Sequence, residues 1–308
     1  MIKNSPNSHK LNSGSILIVL LIIIACAVTI ALTVNELAVD NFTRVKSCYI
    51  DRQSAIYANT AIKAIVELIK EHNTYYDSPK DTIFNIPEIP VNGGTIEIKV
   101  VPLNGKINLN LLKTGLKKQQ VRCKKALDYI LEQHNINSSV LDELMLWVGA
   151  RPSYGTFSAE WSSGASYKGK PLDTLYELNY IPRCSGLYNT LRHSFTVLSQ
   201  GGSLNINFAD VQTIKAYLPE IASCAQKIVN YRKISVFKNI SAIRLACTIP
   251  DQTYIKLVPF ITVHSSYFYV KIKTDIDSVT HWYHYVLKQE QNSVKIVRYI
   301  EAGKYDYF

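Results

Sequence analysis

Three patterns of hydrophobic and polar positions follow one another along this chain. From Ser13 to Val34 no charged residue occurs, and the run SGSILIVLLIIIACAVTIALTV is long enough to cross a bilayer as a helix, which takes roughly 20 apolar residues. From Glu36 to Glu71 there is neither Pro nor Gly, and Ala55, Ala58, Ile62, Ile65 and Ile69 recur at steps of three and four, the period of one helical face. The two stretches together predict one long helix from about Ser15 to about His72. Its first half is apolar all round and projects, and its second half is amphipathic and packs on a globular domain.

The third pattern has period two. A loop from Asn73 to Gly94, with Pro79, Pro87, Pro90 and the Gly93-Gly94 pair, leads into Ile96, Ile98 and Val100 alternating with Glu97 and Lys99, a half-buried strand. Gly105 to Asn110 reads as a turn and a second strand. Near the C-terminus, Phe268, Val270 and Ile272 alternate with Tyr267, Tyr269, Lys271 and Lys273, and strands His281 to Leu287 and Val294 to Ile300 come after polar turns. These strands are expected to form an antiparallel meander that completes the sheet begun at Thr95. Between the two groups the pattern turns helical: Val121–His134, Ser139–Val148, Leu172–Leu178, Leu187–Ser194, Val211–Leu218 and Ala222–Arg232. The helical block is therefore an insertion into a sheet domain.

The flanks of the apolar run orient it. Lys3 and Lys10 precede it without an acidic residue, whereas Glu36 and Asp40 lie beyond it, which leaves Met1 in the cytoplasm and exports the large domain. A cleaved secretory signal has an apolar core of about 7 to 15 residues ending at a small-residue site. Here Ala25, Ala27 and Ala31 lie inside the run instead.

Composition adds limits. The 308 residues are 47% hydrophobic and 19% charged, enough for one large folded domain or two small ones. The net charge of +10 falls to +8 without Lys3 and Lys10, and it is spread along the chain. The densest run, Lys117, Lys118, Arg122, Lys124 and Lys125, reads as a solvated face rather than a site for nucleic acid or acidic lipid. Of six cysteines, Cys26 lies in the apolar run and Cys48, Cys123, Cys184, Cys224 and Cys247 on the exported side, where disulfides form. None has CxxC spacing, which argues against zinc. The odd number means that at least one is free or pairs between chains, and Cys224 with Cys247 is the suggested disulfide.

Catalytic chemistry finds no support. His281 and His284 are an odd step apart, so on one strand they face opposite ways and share no metal. No Gly-x-Ser-x-Gly elbow and no Gly-rich phosphate loop occurs. The short paired helices around Leu175–Leu178 and Ile214–Leu218 suggest DNA-gripping helix hairpins, but Pro182 to Gly186 and Pro219 to Ala222 offer few free backbone amides to a phosphate, so packing is the better reading.

The basic leader ending at Gly14, the apolar run from Ser15 and the projecting helix resemble a type IV prepilin or pseudopilin. The resemblance implies cleavage between Gly14 and Ser15 by the prepilin peptidase, with methylation. The order of elements narrows it to a minor pseudopilin of the K type, from the type II secretion machinery of Gram-negative bacteria. Gly105-Lys106-Ile107-Asn108-Leu109-Asn110 resembles the family's strand before the insertion, and Pro171 to Leu178 its "PLDSLSEL" segment. Phe195-Thr196-Val197-Leu198 with Leu204-Asn205-Ile206-Asn207 is similar to "lTVl…lNvNtA", and Ser265 to Phe268 to its "S.yF" strand.

The fold implied by the resemblance is α+β: a pilin-like long N-terminal helix packed on an antiparallel sheet, with a large all-helical domain inserted between strands. The implied divisions are a leader at 1–14, the helix and first strands at 15–110, the inserted helical domain at 111–249 and closing strands at 250–308. The implied role is to initiate and cap a periplasmic pseudopilus for export of folded proteins across the outer membrane, with no enzymatic activity and no cofactor. Expected partners are other minor pseudopilins at the filament tip, the major pseudopilin, the prepilin peptidase, the inner-membrane platform and membrane lipid, but no nucleic acid. The alternative is a membrane-anchored DNA-binding protein of an uptake system.

One departure qualifies the resemblance, and one further position matches it. The family's calcium-associated acidic loop after a Trp is replaced by Trp147-Val148-Gly149-Ala150-Arg151, leaving Glu160 and Asp173 nearby, so calcium binding is expected to be weak or absent. The fifth residue after the implied cut, Glu in most pilin-like proteins, is Val19. It needs no charged partner in the membrane, which fits a subunit that leaves first.

Overall fold

The computed structural model describes residues 13–72, 75–150, 167–181, 183–199, 201–291, 293–305 and 307–308. It contains two compact units, one ending at Ala55 and one running from Ile56 to Phe308. Helix α1 occupies Ser13–Glu71, close to the span expected from the absence of Pro and Gly.

Five strands form the main sheet in the order β1 (Ile89–Val91), β2 (Gly94–Pro102), β7 (Tyr267–Ile276), β8 (Val279–Glu290) and β9 (Ser293–Glu301), each antiparallel to its neighbour. The sheet thus joins one N-terminal hairpin to three C-terminal strands, as the alternation implied. β1 lies within what the prolines suggested was loop. Gly93 turns the first hairpin at φ +83°, and a side chain at Gly94 would place its Cβ 1.7 Å from the Asp275 carbonyl oxygen, so Gly93 serves the β1–β2 turn and Gly94 the close β2–β7 pairing.

One face of the sheet carries Ile96, Ile98 and Val100 of β2 beside Val270, Ile272 and Thr274 of β7, with Tyr283, Tyr285 and Leu287 of β8 continuing the rows. All are buried. Gln289, on this face of β8, donates to the Ile69 carbonyl oxygen at 3.1 Å, which places the end of α1 here. Ala58, Ile62, Ile65 and Ile69 are buried on that helix, as their spacing predicted.

Between β2 and β7 lie α2 (Lys117–Gln133), α3 (Ser139–Trp147), α4 (Leu187–Leu191), α5 (Val211–Tyr217), α6 (Ala225–Ile234), α7 (Ile243–Ala246) and α8 (Asp251–Leu257). Their apolar faces share one hydrophobic core, which also takes in Tyr269 and Val286 from the second face of the sheet. Two dipeptide strands inside the helical block pair in parallel with segments flanking it: β4 (Phe195–Thr196) with β3 (Ile107–Asn108), and β5 (Leu204–Asn205) with β6 (Ile261–Thr262). The expected second strand at Gly105–Asn110 therefore does not join the main sheet. Residues Leu103–Gly105 form a single 3-10 turn, and the Asn104 side-chain oxygen accepts from the amides of Ser266 and Tyr267. Leu172–Leu178 likewise folds as a 3-10 helix, Leu175–Tyr180, held by a capping box between Thr174 and Glu177.

The sequence words that carried the resemblance meet in space. The Asn110 side chain donates to the carbonyl oxygens of Leu172 and Val197 at 2.9 and 2.8 Å and accepts from the Leu172 amide at 2.7 Å. One side-chain amide thus ties three segments, and its loss would strand their backbone groups. Cys224 and Cys247 are disulfide-linked, as suggested, with Cα atoms 5.8 Å apart. Cys123 and Cys184 are buried thiols.

Candidate membrane and assembly helix

From Ile16 to Val34, thirteen large apolar side chains are each 52–65% exposed, on every face of the helix. Each such side chain left in water forgoes about 1.5–3 kcal/mol of burial, so this surface requires lipid or apolar partners. The segment is long and apolar enough to cross a membrane. Its two hydroxyls are satisfied within the helix, since Thr29 donates to the Ala25 carbonyl oxygen and Thr33 to that of Thr29, both at 2.8 Å. Entering hydrocarbon therefore strands no polar group there.

The implied cleavage pair, Gly14 and Ser15, lies in the first turn of α1, with its side chains outside the described residues. Val19 is 53% exposed, one residue of the continuous apolar surface.

Past Glu71, a polar cluster that sequence reasoning missed fixes the chain. Asp77 is buried, and His72 Nε2 lies 3.5 Å from its Oδ1 and 3.5 Å from Asp81 Oδ2. His264 Nδ1 approaches Asp77 Oδ1 at 3.2 Å, and Asn205 Nδ2 donates to Asp77 Oδ2 at 3.0 Å. Asn207 Nδ2 donates to the Asp77 and Phe237 carbonyl oxygens, both at 2.9 Å. The Asp77 contact raises the His72 pKa above its ordinary value against the opposing effect of burial. Burial pushes the Asp77 carboxyl up, but His264 and His72 outweigh it and leave the net shift downward. The only signal in the sequence was the Leu204-Asn205-Ile206-Asn207 word. Its asparagines are the two that serve this cluster.

The segment after Trp147 is a helix ending. Ala150 N–H donates to the Met145 carbonyl oxygen at 2.7 Å and Gly149 N–H to that of Leu146 at 2.9 Å, with Gly149 at φ +75°, a Schellman cap. Val148 is fully buried there. Asp173 is held by Lys168 at 2.8 Å and Arg298 at 2.9 Å, and the Lys168 contact lowers its pKa. Arg151 and Glu160 lie outside the described residues. Among the described residues no group of three or more His, Cys, Asp or Glu is arranged to hold a metal ion. His281 and His284 sit on β8, where His284 Nδ1 contacts the Tyr269 hydroxyl at 2.6 Å and Nε2 the Gly303 carbonyl oxygen at 2.9 Å, which ties it to packing.

No protein-family model matches the sequence, and no curated protein matches it. Among solved structures, the chain is similar to one in the crystal structure of the GspK-GspI-GspJ complex from the enterotoxigenic Escherichia coli type 2 secretion system. That match has a TM-score of 0.68 at 14% identity and covers 85% of this chain and 100% of that one. At this identity the likeness is one of fold. The fold is the pilin-like α+β architecture that the order of helix, strands, inserted helices and closing strands implied.

Proposed function

We propose that the chain is a K-type minor pseudopilin of the type II secretion machinery, which starts and caps a periplasmic pseudopilus for export of folded proteins. The supporting observation is the pairing of a helix apolar on every face with a pilin-like head that carries a large helical insertion. That combination suits a subunit whose helix bundles with others while its bulky head sits at an end. The insertion is assigned to 111–249, between helix and first strands at 15–110 and closing strands at 250–308. The chain is a single-pass inner-membrane protein with its N-terminus cytoplasmic and its head periplasmic. Its partners are other minor pseudopilins, the major pseudopilin, the prepilin peptidase and the inner-membrane platform. Val19, with no charge to neutralise in the membrane, supports exit ahead of other subunits.

Intact mass of the membrane-extracted protein tests the first step. Loss of residues 1–14 is the expected result. Retention of Lys3, or loss of the whole apolar run, overturns a prepilin origin. Cysteine cross-linking from the head in assembling cells tests position: contacts mainly with other minor pseudopilins are expected, and a regular ladder of self-contacts overturns the tip.

A further inference from the structure

A groove of about 650 Å³ opens on the head between the first turns of α2 and the segment from α8 to Phe260. Its rim is basic. Lys117, Lys118 and Lys125 come from α2 and Lys256 from α8, all exposed. Among the described residues, Lys117, Lys118 and Lys256 have no ion-pair partner. The one carboxylate in the lining, Glu220, is taken up by Arg122 through contacts of 2.6 and 2.9 Å with Lys125 nearby, so Lys117, Lys118 and Lys256 keep their charge for a ligand. Apolar side chains stand beside these lysines in the lining, with Val121 at 53% and Ile255 at 68% exposure.

Helix energetics give no reason for this arrangement. Lys117 and Lys118 occupy the first turn of a 17-residue helix, where free N–H groups and the helix dipole already concentrate positive charge. No acidic residue lies in that turn, and Leu116 provides no side-chain cap. Cations at this end oppose the helix, whereas an anionic ligand would be held by lysines and amides together.

We propose that this groove docks an acidic, apolar-bearing peptide segment of a partner protein, its carboxylates on the four lysines and its apolar side chains on Val121 and Ile255. The proposal goes beyond the filament reading and does not depend on it. Nucleic acid fits less well. The aromatic ring at the groove, Phe260, is buried, and the Arg122 guanidinium lies 4.0 Å from its centroid, so no ring face is open for base stacking.

The test uses the full chain in nanodiscs of neutral phosphatidylcholine and fluorescence anisotropy with three labelled probes. These are a peptide of about 12 residues alternating Asp or Glu with Leu or Phe, a Glu/Gly peptide of equal charge, and an oligothymidylate of similar length. The expected result is that the first probe binds at least about tenfold tighter than the second, with affinity falling as salt rises. The Lys117→Glu/Lys118→Glu variant should lose at least about tenfold while its melting temperature holds or rises, because Glu in a first turn complements the dipole. Val121→Ser/Ile255→Ser should weaken the first probe and leave the second unchanged. Equal binding of both peptides, or binding indifferent to both variants, overturns the proposal. Tighter binding of the oligothymidylate, lost in the lysine variant, also overturns it and gives the groove to nucleic acid.

Discussion

The two halves of α1 share one secondary structure and differ in everything that holds them. Residues 16–34 have no polar face, and their apolar side chains are exposed on all sides. Residues 56–71 bury one row, Ala58, Ile62, Ile65 and Ile69, and leave Lys63, Glu67 and Lys70 in solvent. The contrast separates what makes a helix from what makes a fold. Propensity and the absence of breakers carry the helix through both halves. Only the second half has its apolar face matched to a sheet of the same chain.

The largest effect that tests this contrast comes from removing one buried methyl cluster. Ile65→Ala should destabilise the head by about 2–5 kcal/mol through lost transfer energy and the residual cavity. Ile22→Ala should leave the head's melting temperature where it is. Equal shifts from the two changes, measured by thermal denaturation of the membrane-extracted protein, would erase the distinction.

Cysteine chemistry repeats the comparison. Replacing Cys224 and Cys247 by Ala removes a cross-link with a sequence separation of 23. It should cost about 2–4 kcal/mol in the head, read from the denaturant midpoint. Among the thiols, Cys48 is exposed on α1, while Cys123 and Cys184 are buried and burial pushes their pKa up, that of Cys184 to about 12. Native alkylation should label Cys48 and reach the two buried thiols only after unfolding. Rapid labelling of Cys184 in the native protein would show that the head core is open.

A third test is pH. His72 has a raised pKa, so its contribution is complete below its ordinary value near 6.5 and is lost as pH rises through the folded value. Asp77 has a lowered pKa, so its contribution is present above its ordinary value near 3.8 and is lost as pH falls through the folded value. The cluster should stabilise the head most between those two ordinary values. His72→Gln should flatten the alkaline side of the melting profile and weaken the acid side less, because His264 still holds the Asp77 carboxyl down. An unchanged alkaline slope would show that the His72–Asp77 contact contributes nothing.

Much of this was legible in the sequence because it was periodic. The apolar run, the step of three and four in α1 and the alternation in β2, β7, β8 and β9 each report a single burial environment along a whole element. The inserted helices were found for the same reason. Features made by a few residues from distant segments were not legible. β3 and β4 are dipeptides paired in parallel across the insertion, too short to show a period. The Asp77 cluster draws on residues as far as 187 positions from Asp77 itself, His264 being the farthest. The basic run at Lys117 to Lys125 is visible, but Ile255 and Lys256, which complete the groove beside it, come from α8, so the run alone reads as solvated surface.

The smallest expected effect is the most demanding test of the contrast, because it compares polar groups rather than apolar ones. Thr33 Oγ1 lies 2.8 Å from the Thr29 carbonyl oxygen and 2.9 Å from that of Ile30, so its bonds stay inside its own helix. Asn205 in the head bonds Asp77 and Ser265, residues of two other segments. Removing a hydroxyl bonded to carbonyls that already accept from helix amides leaves no buried group without a partner. Thr33→Val should therefore change head stability by less than about 0.5 kcal/mol and leave the protein in the membrane on alkaline extraction. Asn205→Leu strips one donor from a buried carboxylate and should cost about 1–3 kcal/mol. If Thr33→Val instead released the protein from the membrane or shifted the melting temperature as much as Asn205→Leu, the apolar half would be held by a specific polar contact. The division between a helix defined by its solvent and one defined by its own sheet would then fail.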